Sequence, residues 1–143
     1  MIDPKRRVYI CGNGGSAANA IHIANDLLSV GVRAHPLTAD VSTLTAIAND
    51  FGYDNVFSRQ LEVFADPGDL LIVLSGSGNS PNILKALEVG KKIGMETWAV
   101  VGGGRAGAIA DRVFSPDTFD GPFMQIAEEY QLYIGHQWML EHH

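Results

Sequence analysis

Cysteine is almost missing from this 143-residue sequence, and Cys11, the single one, leaves no partner for a disulfide within the chain. That fits a reducing compartment. Long apolar runs are missing too. Nothing approaches the roughly 18 residues of a membrane span, and no leader precedes the first strand, so the expectation is a soluble, cytoplasmic chain without a membrane partner. Basic residues are outnumbered 10 to 16, for a net charge of −6, which argues against nucleic acid or an anionic surface as a general partner. With 46% hydrophobic residues, no internal linker and no repeat beyond two similar turns, the chain reads as one domain over residues 1–139. Residues 140–143, Leu140-Glu141-His142-His143, read as the start of an expression tag, and the last two histidines enter no metal argument.

What the chain does contain is organised around residues 70–82. Leu70-Leu71-Ile72-Val73-Leu74 is an unbroken apolar run, as in a buried parallel strand. It breaks into Ser75-Gly76-Ser77-Gly78-Asn79-Ser80-Pro81 and resumes with helical spacing from Asn82. Strand, Ser/Gly loop and helix aim free backbone N–H groups and a positive helix end at one spot, with three hydroxyls beside them. Such a nest suits a phosphate ester. The loop has no lysine, so it is not a nucleoside triphosphate loop, and a sugar phosphate suits it better. A plain turn capped by Ser80 would use the same residues.

The first strand, over residues 8–11, runs into Gly12-Asn13-Gly14-Gly15-Ser16 and a small-residue helix over 17–28, a turn of the same type. Two such turns in one α/β domain can face one cleft, because ligands sit at the carboxyl ends of parallel strands. The spacing is not that of a dinucleotide fingerprint, and no acidic residue ends a second strand at the right distance. Residues 1–7 read as a polar lead and 32–37 as a short strand, while Asp40 or Ser42 caps a helix through Asn49. Residues 54–64 read as a helix with Val56, Gln60, Val63 and Phe64 near one face. Strands follow at 97–101 and 113–115, a loop at 116–122, and a helix over 124–140. This β–α alternation predicts a parallel sheet between layers of helices, a three-layer αβα sandwich.

The stretch Gly12-Asn13-Gly14-Gly15-Ser16-Ala17-Ala18, with His22 soon after, resembles the sugar isomerase (SIS) family, and within it the phosphoheptose isomerase branch. Residues 40–50, the serine loop and Ile134-Gly135-His136 carry the resemblance along nearly the whole chain. It implies a five-stranded flavodoxin-like sheet, a homo-oligomer (usually a tetramer) and a sugar-phosphate substrate. It further implies that Ser75, Ser77 and Ser80 hold the phosphate with the amides of Gly76 and Gly78. Asn13, Gly14, Ser16 and Asp40 would lie against the sugar. The family's zinc is held by His and Glu on the first helix and by Gln and His on the last. His22 and His136 match, whereas Asp26 stands for the glutamate and Glu128 for the glutamine. Spacings of four and eight keep each pair near one helical face. Gln125 stands where the family has aspartate, and the family's long N-terminal helix has no counterpart here.

The implied reaction is an aldose–ketose isomerisation, sedoheptulose 7-phosphate to glycero-manno-heptose 7-phosphate through an enediol. It calls for a base and an acid at neighbouring carbons, for which Asp26 and His136 are the expected pair. A non-catalytic phosphosugar-binding module with a regulatory or protein-partner role is the alternative. A flavodoxin-like redox domain is weakened by the lack of aromatics flanking the serine loop.

Overall fold

Every residue of Leu70–Ser75 is buried, and this strand is the spine of the fold. The computed structural model describes residues 1–116 and 124–143, so the loop expected over 116–122 lies, from 117 on, outside the described residues. The elements run β1 (Arg7–Gly12), α1 (Gly15–Ser29), β2 (Arg33–Pro36), α2 (Val41–Phe51), a 3-10 turn (Tyr53–Asn55), α3 (Ser58–Phe64), β3 (Leu70–Ser75), α4 (Pro81–Ile93), β4 (Glu96–Val101), α5 (Ala106–Ile109), β5 (Arg112–Phe114) and α6 (Met124–Leu140). The strands form one sheet in the order β2-β1-β3-β4-β5, every pair parallel. This is the doubly wound order, whose direction of winding reverses between β1 and β3.

Alternation along the strands builds two cores, one on each face of the sheet. Val8, Ile10, Leu70, Ile72, Leu74 and Val100 pack under Ile23 and Leu27 of α1 and Trp138 of α6. Tyr9, Cys11, Leu71, Val73 and Ala99 pack against Phe57, Leu61, Ile83 and Leu87 on the other side. The three-layer sandwich expected from the β–α alternation is present.

Local expectations needed three corrections. Residues 1–7 are not merely a polar lead, because Ile2 is fully buried in the α1–α6 core. In α3 the buried positions are Ser58, Gln60 and Leu61, while Val63 is 79% exposed and Phe64 faces out. Val56 and Gln60 of the expected face are buried, but the helix starts at Ser58 after a separate 3-10 turn, so Val63 and Phe64 fall off that face. The short α5 was not anticipated. Among the described residues no helix is long and apolar enough to cross a membrane.

Candidate functional site

The carboxyl ends of β1 and β3 open into a cleft of about 230 Å³ lined by Asn13, Gly14, Gly15, Ser16, Leu74, Ser75, Gly76, Ser77, Ser80, Met124 and Glu128. Its place is the topological switch point, where doubly wound sheets bind ligands. Its volume is below the roughly 300–1,000 Å³ of pockets for drug-sized ligands, which suits a small phosphate ester.

The serine loop holds its own shape. The Ser75 hydroxyl accepts from the Gly78 amide at 3.0 Å, and the Ser77 hydroxyl from the Asn79 amide at 3.2 Å. Ser80 precedes α4 without capping it through its side chain, so its hydroxyl is left for the cleft. Outside the loop lies the glycine run 102–104, a turn whose purpose the sequence does not reveal. Here it is a brace. The Gly102 amide donates to the Gly76 carbonyl (3.1 Å), the Ala106 amide to the Gly78 carbonyl (2.8 Å) and the Arg105 amide to Asn79 Oδ1 (2.9 Å). Gly78 has φ +67, and a side chain there would strike the Gly103 carbonyl, so glycine is required on two counts.

The two βα turns are tied together. Asn13 and Asn82 exchange reciprocal amide hydrogen bonds at 2.9 and 2.8 Å, and the Tyr53 hydroxyl donates to Asn13 Oδ1 at 2.9 Å. Asn13 therefore lines the cleft as part of a bridge. Ser16 likewise lines the cleft while its hydroxyl accepts from Gln131 Nε2 at 3.0 Å, linking α1 to α6. Asn19 completes that link by donating to the Glu128 carbonyl and to Gln131 Oε1. Tyr53, Asn19 and Gln131 escaped sequence reasoning, since none sits in a motif, and Asn82 was read only as the start of the helix after the serine loop. Asp40 is the N-cap of α2: it accepts from the Thr43 hydroxyl at 2.7 Å and the Ser42 amide at 3.0 Å. Thr43 and Ser42 together hold its carboxyl below the usual carboxylate range. It is absent from the residues lining the cleft, so its expected contact with the sugar is not visible in this geometry.

Farther along the same seam, three side chains meet. His22 Nε2 lies 3.2 Å from Asp26 Oδ2, His136 Nε2 lies 3.4 Å from the same oxygen, and the two imidazole nitrogens are 3.3 Å apart. Four donors held at about 2.0–2.1 Å around a tetrahedral zinc stand roughly 3.3–3.4 Å from one another, so this triangle has the spacing of three such ligands with the fourth position open. Asp26, 17% exposed, anchors two imidazoles about half exposed. Gly135 lets α6 approach, because any side chain there would run into Ile23 of α1.

Glu128, expected as the fourth ligand, is not in the cluster of donor atoms. It shares a face of α6 with His136 but stands about 12 Å away along the axis, eight residues at 1.5 Å each. Its carboxylate instead lies over Gly15 in the cleft, where a side chain at position 15 would collide with it. Helical periodicity gives the face and not the depth. Cys11 is fully buried at the end of β1, and burial pushes its thiol far up, which removes it as a nucleophile.

The SIS domain family model matches residues 1–102, and the chain belongs to that family. Its relatives there are phosphoheptose isomerases. That of Helicobacter pylori (strain P12) is 42% identical over 132 residues, covering 87% of this chain and 69% of the relative. That of Chlorobaculum parvum is 53% identical over 105 residues, 68% of this chain, and the match spans 50% of that relative's length. Among solved structures, the phosphoheptose isomerase of Francisella tularensis superposes with a TM-score of 0.86 at 29% identity, covering 96% of this chain and 76% of the other. The phosphoheptose isomerase of Neisseria gonorrhoeae gives 0.83 at 35% identity, with the same coverage.

Proposed function

We propose that the chain interconverts sedoheptulose 7-phosphate and glycero-manno-heptose 7-phosphate. The observation that carries this reading is the pairing of a phosphate-shaped nest with a carboxylate–imidazole cluster along one helix seam. From Ser16 to His22 is roughly 9 Å along α1 at 1.5 Å per residue, a separation that the open chain of a phosphorylated polyol can span. Phosphate in the serine loop would direct the carbonyl end toward Asp26 and His136.

The chemistry asked of these groups is modest. A base takes the proton from C1, beside the C2 carbonyl, and an enediol forms. A proton then returns at C2 while the C1 oxygen becomes the new carbonyl. The Asp26 carboxylate and the His136 imidazole, 3.4 Å apart, are a matched acceptor and donor pair for those transfers. His22 contacts the same carboxylate oxygen and orients it. We read His22, Asp26 and His136 as the residues that would hold zinc, which when bound polarises a carbonyl. Phosphate binding in the serine loop would hold the reacting carbons near these groups.

A coupled assay on sedoheptulose 7-phosphate, in chelator and with added zinc, tests the proposal. The expected result is turnover that is lost in His136→Ala while sugar phosphates still stabilise the variant's fold. Stabilisation by sugar phosphates with no turnover by the unaltered chain would overturn the catalytic reading and leave a binding module.

A further inference from the structure

Among the described residues, the cleft that would receive a phosphate dianion is lined by no cation. Its lining offers amides, hydroxyls, a methionine and one carboxylate, that of Glu128. Backbone dipoles can hold an anion, but the nearby acid works against them, and a positive side chain beside the serine loop would offset it. One is present. Arg105 follows the glycine brace, and its backbone amide is fixed to Asn79 Oδ1 at 2.9 Å, within the loop itself. The flanking bonds, Gly102 to Gly76 and Ala106 to Gly78, hold residues 102–106 in register along the loop. Contact between Gly104 and the Ser77 carbonyl is too tight to admit a side chain at 104.

Arg105 is also set apart by what it does not touch. The chain has six arginines. Arg6 pairs with Glu96, Arg7 with Asp66, Arg33 donates to the Lys5 carbonyl, Arg59 stacks on Phe51 and Arg112 on Trp98. The Arg105 side chain is exposed and, among the described residues, engages none of them. Arg105 is not among the residues lining the cleft, but its backbone is seated on the serine loop and its exposed side chain is uncommitted, an arrangement that leaves the guanidinium fork available to phosphate oxygens.

We infer that Arg105 is a phosphate-binding residue that closes over the ester held by the serine loop, with specificity for the dianionic phosphate end of the substrate. The inference rests on the phosphosugar reading above. Seated on the serine loop and not on the α1–α6 cluster, Arg105 acts on binding and not on proton transfer.

The test compares the unaltered chain with Arg105→Ala, Arg105→Gln and Arg105→Lys, all of which keep the backbone bonds of the brace. Binding is read from thermal stabilisation by sedoheptulose 7-phosphate, by inorganic phosphate and by unphosphorylated sedoheptulose, and turnover from kcat and KM separately. The expected result is about a tenfold rise in KM and in the phosphate dissociation constant for the Ala and Gln variants, as for loss of one charge-assisted hydrogen bond. Their kcat and ligand-free melting temperature should be unchanged, and the Lys variant should recover most of the loss. Phosphate binding within twofold of the unaltered chain in the Ala variant would overturn the inference while leaving the phosphosugar reading intact. No stabilisation of the unaltered chain by either phosphate would overturn the phosphosugar reading, and this inference with it.

Discussion

The two ends of the candidate site are made of different material. The serine-loop end is largely backbone: a loop whose amides are closed by its own hydroxyls, and a glycine brace joined by main-chain bonds. The far end is side chain: a carboxylate and two imidazoles that meet only because α1 and α6 approach closely at Gly135. A backbone site is fixed as soon as the sheet forms, and most single substitutions leave its amides where they were. A side-chain site depends on every rotamer and on the distance between two helices. Binding is therefore expected to survive changes that abolish chemistry, and each of the following experiments can break or sharpen that contrast.

The largest effect should come from His136→Ala or Asp26→Asn. Turnover should fall about a hundred- to ten-thousandfold, the usual worth of a general acid or base, while stabilisation by sedoheptulose 7-phosphate persists. Parallel loss of binding would mean that the two ends are not separable. Next comes Gly78→Val, which places a β-branched side chain at φ +67 against the Gly103 carbonyl. It should cost about 2–4 kcal/mol in urea unfolding, from left-handed strain plus overpacking, and phosphate binding should disappear with the loop. Gly135→Ala should cost less, about 1–3 kcal/mol for an overpacked seam. It should weaken zinc uptake, measured by titration, more than phosphate binding. An equal effect on both would show the seam to be a common support.

Smallest is a pH effect at the rim. Hydrogen bonds from Thr43 and Ser42 hold the Asp40 carboxyl below its ordinary value. Its contribution is therefore complete above roughly pH 4, the unfolded carboxylate range, and fades as pH falls through the lowered folded value. Asp40→Asn keeps a capping side chain without the titration, so its urea midpoint should drop less than the parent's between pH 6 and pH 3. An identical acid profile would show that the cap carries none of the acid sensitivity.

The backbone half was the legible half. Apolar runs that end in Ser/Gly turns announce a strand followed by an anion nest, because the glycines and hydroxyls are demanded locally. The parallel sheet between helix layers followed from the β–α alternation, and its flavodoxin-like type from the family resemblance. His22 and Asp26 could be paired by their i, i+4 spacing, and His136 joined them only through a family resemblance. Glu128 was misplaced because spacing along a helix says which side a residue faces and leaves its height along the partner open. The brace at 102–106 could not be read either, since its need for glycine arises from carbonyls some 25 residues earlier in the chain. Val63 and Phe64 were grouped on one face with Val56 and Gln60, but the 3-10 turn before α3 shifts the helical phase and leaves them exposed.

The meeting of His22 with His136, 114 positions apart, also sets an order of assembly. A chain leaves the ribosome from its N-terminus, and residues 7–106 already supply β1, β3, β4, the serine loop and its glycine brace. The serine-loop nest takes shape from that portion, whereas the His22–Asp26–His136 triangle waits for the last helix to emerge and dock. A growing chain would thus form its anion nest before its carboxylate–imidazole cluster, with α6 closing the cleft last through Met124 and Glu128.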